Sequence, residues 1–248
     1  MPEGDTIHKL AARLREHIEG RCLDGLWLRE RGWLEVFGGS RVDEVAAIGK
    51  HLLVVIRSER TRPTRWILHV HLGMRGRWSV VSPDDAAARS RHAARVRLAV
   101  AGREWVATRA SVAELLRPGE LEAHPTLSRL GPDLLDGPLD LDRIVQRARA
   151  YDPRTVSDLL LDQRIACGLG NVYRNELLFL AGLPPTAPTV DVSDEAIRRL
   201  YARGGELLRA NLGGWRRTTT RRVTPEEPLR RGEPRSFVYG RKELPCLR

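Results

Sequence analysis

Lysine, cysteine and aromatic residues are all scarce in this chain of 248 residues, and each scarcity excludes something. The 3 cysteines, Cys22, Cys167 and Cys246, are few and widely spaced, with no C-x-x-C pair. That argues against a disulfide framework and for a reducing compartment, and no complete metal site can be built from cysteine. Phe, Trp and Tyr make up only 5% of the chain, which speaks against single-strand recognition by stacked bases. No apolar run approaches the ~20 residues that span a bilayer. The N-terminus MPEGDTIHKL has neither a basic nor an apolar leader region, so an intracellular, cytoplasmic protein is expected. Low-complexity tracts and internal repeats are also missing, which excludes disorder throughout, collagen and coiled coil.

What is present is positive charge. Lys plus Arg number 42 against 32 acidic residues, a formal charge of +10, and a polyanion is the expected partner. Only Lys9, Lys50 and Lys242 of those 42 are lysine, a bias that partly reflects a GC-rich genome and makes each lysine worth explaining.

The pattern divides the chain. Ile7, Leu10, Ala11, Leu14 and Ile18 recur at helical spacing, with Asp5 as N-cap, Gly20 as stop, and Pro2 to Gly4 as a free tail before the helix. From Arg21 to about Arg109 the period is two. Runs at 52–56, 66–72, 96–100 and 105–106 are punctuated by Gly38-Gly39, Arg62-Pro63, Ser82-Pro83 and Gly102, as in a β-sandwich or barrel. The segment 118–140, rich in Pro, Gly and Asp, reads as a linker. Helices are expected at 141–150, 156–162, 172–181 and 194–211, the last capped by Ser193. Residues 213–248 form a basic tail with little periodicity. The fold class is therefore α+β, a β-sandwich with one helix followed by an all-helical domain.

Four places carry possible chemistry. Removal of the initiator Met before the small residue Pro2 exposes a secondary α-amine, whose class titrates near ~7.7–8, so a useful fraction is unprotonated at neutral pH. Such an amine attacks an aldehyde-like carbon to give an iminium, and Glu3 beside it can shuttle protons. Gly49-Lys50-His51 sets a lysine at the mouth of a strand, where it either holds a phosphate or opened sugar or is simply solvated. In His69-Val-His71-Leu-Gly-Met74-Arg-Gly the two histidines share a strand face. That spacing permits metal binding, but with no third ligand nearby in sequence, core or active-site histidines are the preferred reading. Met74 sits in a glycine-bounded turn, either an apolar wedge for a duplex gap or an incidental turn residue. The most specific element runs from Asp162 to Glu176. Its Gly168-Leu-Gly170-Asn171 loop opens a helix whose N–H groups can cradle a phosphate, with Asn171 as cap and amide donor.

These elements, with AHPTLSRLGPDLL and FVYGRKELPC, occur in an order that resembles the formamidopyrimidine-DNA glycosylase and endonuclease VIII family of base-excision repair enzymes. PEGDT resembles the endonuclease VIII branch, the actinobacterial second type in particular, which characteristically removes oxidised pyrimidines. The resemblance implies a catalytic domain at 1–117, a helix–two-turns–helix domain at 141–212, and a tail leading into a zinc hairpin. It implies a bifunctional DNA glycosylase and AP lyase acting on damaged double-stranded DNA as a nucleoid-associated monomer. Pro2 matches the Schiff-base nucleophile, Glu3 the proton donor and Lys50 the lysine assisting elimination. Met74 matches the void-filling residue, and Arg129 and Asn171 match DNA-contacting positions. Cys167 stands where Gly or Ala is usual. The family's four-cysteine zinc hairpin is represented by Cys246 alone, so a truncated hairpin and no cofactor are expected from this chain. The rival expectation is a non-catalytic member that binds damaged DNA.

Overall fold

The computed structural model describes residues 1–58, 64–81, 93–214, 216–220 and 231–247. The turns expected at Arg62-Pro63 and Ser82-Pro83, and tail residues 221–230, lie outside the described residues. Two compact units emerge, one of Met1–Pro2 with Thr6–Ser128, the other of Glu3–Asp5 with the described residues from Arg129 onward.

In the first unit, helix α1 (Gly4–Ile18) buries Ile7, Ala11, Leu14 and Ile18, each at most 1% exposed, as the spacing predicts. Its start is a correction. The helix begins at Gly4, so Asp5 lies inside the first turn and does not cap it. The strands are β1 (Gly25–Leu28), β2 (Gly32–Trp33), β3 (Arg41–Ile48), β4 (His51–Ser58), β5 (Thr64–His71), β6 (Arg77–Val81), β7 (Ala94–Val100), β8 (Arg103–Thr108) and β9 (Val112–Leu116). They form two antiparallel sheets, in the orders β2-β1-β7-β8-β6 and β3-β4-β5-β9. Leu26, Val96, Leu98 and Ala107 of one sheet meet Val45, Val54, Ile56 and Leu68 of the other, with α1 packed into the same core. This is the expected sandwich. β4 reads as one apolar run because it is a central strand buried almost throughout. The period-two pattern ends at Arg109, one strand short, because β9 alternates poorly.

The second unit is helical. α2 (Leu141–Tyr151) is capped by Asp140, whose carboxylate accepts from Arg143 N, and α3 (Val156–Leu161) opens with a Thr155–Asp158 capping box. α4 (Asn171–Ala181) ends at Gly182, at φ +66, and α5 (Asp194–Ala210) starts at Ser193, which accepts from Ala196 N as expected. Ile144, Leu159, Leu177, Tyr201 and Leu208 form the shared core. The segment that reads as a linker is not loose throughout. Gly131 N donates to Gln163 O at 2.9 Å, Cys167 N to Pro132 O at 2.9 Å, and Leu134 is fully buried. Gly131 is required there, because a Cβ would lie 2.4 Å from Ile165 O.

The tail also folds back despite its lack of periodicity. Asn211 and Thr218 exchange hydrogen bonds of 2.8 Å, and Glu176 of α4 accepts from Thr219 Oγ1 and from the N–H groups of Phe237, Val238 and Tyr239. A buried carboxylate met by four donors anchors a segment that has few apolar residues of its own.

Tyr201 tests the helical core. Its hydroxyl donates to Leu159 O at 2.7 Å with the side chain fully buried. Tyr201→Phe removes the donor and leaves that carbonyl one partner short, so stability should fall by about 1–2 kcal/mol in urea melts. An unchanged midpoint would mean the bond contributes nothing.

Candidate active site

The start of α4 is where the sequence motifs meet. The Glu3 carboxylate is 1% exposed and accepts from Gly170 N at 3.0 Å, Val172 N at 2.8 Å and Tyr173 N at 3.4 Å. These are the donors a helix leaves unsatisfied at its N-terminus, where its dipole favours an anion. The reading that a DNA phosphate occupies them is corrected, because the anion in the cradle is the chain's own Glu3. The expected free tail is corrected too, since Gly4 N donates to Gly168 O at 2.9 Å.

Glycine is demanded on both sides of this contact. A Cβ on Gly170 would sit 2.6 Å from the Glu3 carboxyl carbon, and one on Gly4 would sit 2.9 Å from Gly168 Cα. Gly168 itself, at φ +116, adopts a conformation that L side chains rarely reach. Gln163 holds the loop: its amide donates to Leu161 O and Leu169 O at 2.9 and 3.0 Å, and its oxygen accepts from Gly168 N. Asn171 does not cap the helix. Gly170 occupies the cap position, and Asn171 O accepts from Asn175 Nδ2 at 2.7 Å.

Two residues missed in the sequence complete this site. Asp5 is fully buried and accepts from Arg217 at 2.5 and 3.1 Å, and the same guanidinium lies 3.9 Å from Glu3 Oε1 and over the Tyr173 ring. Burial works against the Arg217 charge, but Asp5 outweighs it and raises the guanidinium above its ordinary range. Burial pushes the Tyr173 phenol up as well. Nothing local in the sequence marks Arg217, which lies 212 residues from its partner in a run of arginines.

Arg129 is exposed, and its carbonyl accepts from Arg147 Nη2 at 3.2 Å. Arg147 Nε also donates to Arg164 O, and both arginines lie over the Tyr151 ring, giving a basic, partly ordered face.

Pro2, Lys50 and Met74 belong to the N-terminal unit. Lys50 follows Gly49, at φ +57, in the two-residue turn joining β3 to β4, and its carbonyl accepts from His71 Nδ1 at 2.9 Å. Met74 is 75% exposed on a turn closed by Gly76 N donating to Leu72 O. A Cβ on Gly76 would lie 2.2 Å from that oxygen, so the glycine makes the turn possible.

His69 has the third partner that its sequence neighbourhood lacks. His69 Nδ1, Glu114 Oε1 and His124 Nε2 converge from β5, β9 and the following loop. The spacings are 2.7 Å and 3.0 Å, those of hydrogen bonds. Two ligands on one tetrahedral zinc stand roughly 3.3 Å apart. His124 Nδ1 accepts from Thr126 N and Leu127 N, so its proton is on Nε2 and no lone pair faces the centre. The group is a hydrogen-bonded cluster and not a metal site. Nor do the cysteines fit the family's zinc: Cys246 is exposed, Cys167 is buried beside Gly168, Cys22 lies in the other unit, and 3 cysteines cannot supply four ligands.

The formamidopyrimidine-DNA glycosylase N-terminal domain matches residues 1–110 and the H2TH domain of the same enzymes matches residues 130–222. The chain belongs to the formamidopyrimidine-DNA glycosylase family. Its full-length relatives include "Probable endonuclease 8 2" of Streptomyces coelicolor, 37% identical across all of this chain and 84% of that protein. "DNA-(apurinic or apyrimidinic site) lyase Nei2" of Mycolicibacterium smegmatis is 36% identical across all of this chain and 90% of its own length. Among solved structures, the MutM (Fpg) protein of Thermus thermophilus superposes with a TM-score of 0.74 at 29% identity, covering 99% of this chain and 90% of that one.

Two measurements test the site. Gly170→Ala forces a methyl group into the Glu3 carboxyl, which cannot retreat without surrendering three N–H donors, and should cost about 1–3 kcal/mol of stability. A wild-type melting curve for this variant would show that Glu3 is not held there. The second is pH. Burial, and then His71, His69 and Lys50, push buried His51 from 6.5 down to about 3. The unfolded chain binds the proton that the folded one refuses, so His51's contribution is intact above pH 6.5 and is lost as pH falls toward 3, at about 1.4 kcal/mol per pH unit. Thermal melts from pH 7.5 to 4.5 should show a shallower decline for His51→Gln than for wild type, and equal slopes would refute the depression.

Proposed function

We propose that this chain is a bifunctional DNA glycosylase and AP lyase that excises oxidised bases, pyrimidines foremost, from duplex DNA and nicks the strand by β-elimination. The observation that carries the reading is the seating of Glu3. A carboxylate fixed by three backbone donors immediately after Pro2 supports the reading of Glu3 as an acid–base group next to the amine that removal of Met1 would expose.

The chemistry follows from those two groups. With the initiator Met removed, the Pro2 nitrogen lone pair attacks C1′ of the damaged nucleotide, and the bond to the base breaks with its electron pair leaving on the base. A proton delivered through Glu3 to O4′ opens the sugar and leaves an iminium between Pro2 and C1′. The iminium acidifies C2′–H. Loss of that proton drives the electron pair toward C3′ and expels the 3′ phosphate, and Lys50 assists by facing the phosphate. The damaged base must first leave the stack, which costs a few kcal/mol and least for lesions that pair poorly. Exposed Met74 fills the gap it leaves. Arg129, just before the helix–two-turns–helix domain (141–212), and Asn171 within it contact the DNA, while the buried Gly168 and Gly170 shape the loop around Glu3 and residues 1–117 form the catalytic domain. The pyrimidine preference is supported by PEGDT and by relatives named endonuclease 8.

Incubation with an abasic-site duplex and borohydride should trap a covalent complex mapping to Pro2. Pro2→Gly, which keeps an amine but a primary one, should trap far less. Glu3→Gln should abolish base excision while retaining part of the nicking of preformed abasic sites, where no base has to depart. A cross-link mapping to Lys50, or none at all in a chain that still binds damaged duplex, would replace this reading with a different nucleophile or with a non-catalytic binding protein.

A further inference from the structure

On the β3-β4-β5-β9 sheet, polar side chains stand in a line. Hydrogen bonds carry it from His124 to His51, and a ring stack carries it on to His71. His124 Nδ1 accepts from Thr126 N and Leu127 N, so its Nε2–H donates to Glu114 Oε1 at 3.0 Å. The same oxygen accepts from His69 Nδ1 at 2.7 Å. His69 Nε2 is therefore the bare nitrogen, and His51 Nδ1 donates to it at 2.9 Å. His51 then stacks on His71 with ring centroids 4.7 Å apart, and His71 Nδ1 donates to Lys50 O at 2.9 Å.

The β registers impose this line. His51 lies opposite His71 and His69 opposite Glu114, so the four side chains fall on neighbouring positions of three adjacent strands. Its tautomers are all determined, because each ring has one partner that must donate or accept. Burial is the leading reason that His51, His69 and His71 are all held below the ordinary imidazole range. For Glu114, burial opposes ionisation, but the bonds from His69 and His124 outweigh it and hold the carboxyl down. The line thus has one negative end at half-buried Glu114, neutral rings between, and the Lys50 turn at its other end.

A buried polar line of this kind costs desolvation and is a poor way to stabilise a core. What it supplies is direction. Lys50 sits in a two-residue turn whose glycine is conformationally permissive, and the backbone carbonyl of that turn is where the line ends. We propose that Glu114, His69, His51 and His71 are positioning residues that fix the Lys50 turn for strand cleavage. The inference rests on the Lys50 role given under the proposed function.

The test is a double-mutant cycle on nicking of an abasic-site duplex. Glu114→Gln keeps the shape of the side chain and the oxygen that accepts both bonds but removes the charge that strengthens them. It should lower kcat about tenfold with little change in KM, because the turn is loosened while DNA contacts remain. In a Lys50→Ala background the same substitution should do almost nothing further. His69→Gln, which still offers His51 an acceptor but cuts the link to Glu114, should behave likewise. Long-range ¹H–¹⁵N spectra supply a readout independent of activity: wild-type His51 and His71 should be neutral Nδ1–H tautomers, and Glu114→Gln should mix the His51 tautomers. A wild-type kcat and imidazole spectrum in Glu114→Gln would overturn the inference, as would an equal loss with and without Lys50. Failure of wild-type protein to nick or cross-link would sink the proposed function instead, while the tautomers would still decide whether the line exists.

Discussion

The Glu3 carboxylate in the N–H cradle of α4 is the contact on which the rest of the site depends. A helix start with unsatisfied donors and a positive dipole end takes an anion from wherever one is available. Here the anion arrives with the chain itself, two residues into the sequence. The loop before α4 then has to let the N-terminal backbone come close, which is why Gly4 and Gly170 are glycine, while Gly168 is required by its φ of +116. Asp5, carried in on the next turn, brings a second buried carboxylate, and Arg217 compensates it. One contact thus recruits residues from the first, middle and last parts of the chain.

This arrangement changes what the helix–two-turns–helix element can contribute. Its helix start is committed to the Glu3 carboxylate and is not free for a phosphate. On the proposed function, grip on DNA then falls to side chains, with Arg129 and the neighbouring Arg147 and Arg164 over Tyr151 as the basic face. Charge-based contacts of this type make binding strongly salt-dependent and weakly sequence-dependent, as suits an enzyme that must find lesions in any context.

The sequence reveals those parts that repeat or that need special backbone. α2, α4 and α5 stand out because each carries an apolar stripe and a cap or a stop, and β4 stands out as a buried central strand. β2 and β9 are obscure because two- and five-residue strands alternate too briefly. β3 carries a bulge between Val42 and Glu44 that breaks its period. PEG and GLGN are each visible, but their meeting is not, because the reason for Gly170 is an atom of Glu3 some 167 residues away. Glu114 and His124 give no signal for the same reason: Glu114 meets His69 only through strand register, and His124 reaches Glu114 only through the loop after β9. Long-range polar contacts leave composition unchanged and so leave no periodic trace.

The most direct test of this account is a crystal structure of the borohydride-trapped complex with abasic-site DNA. The account predicts a bond from Pro2 nitrogen to C1′, with the Glu3 carboxylate still accepting from Gly170, Val172 and Tyr173. A DNA phosphate seated on those three N–H groups, with Glu3 displaced from them, would contradict it.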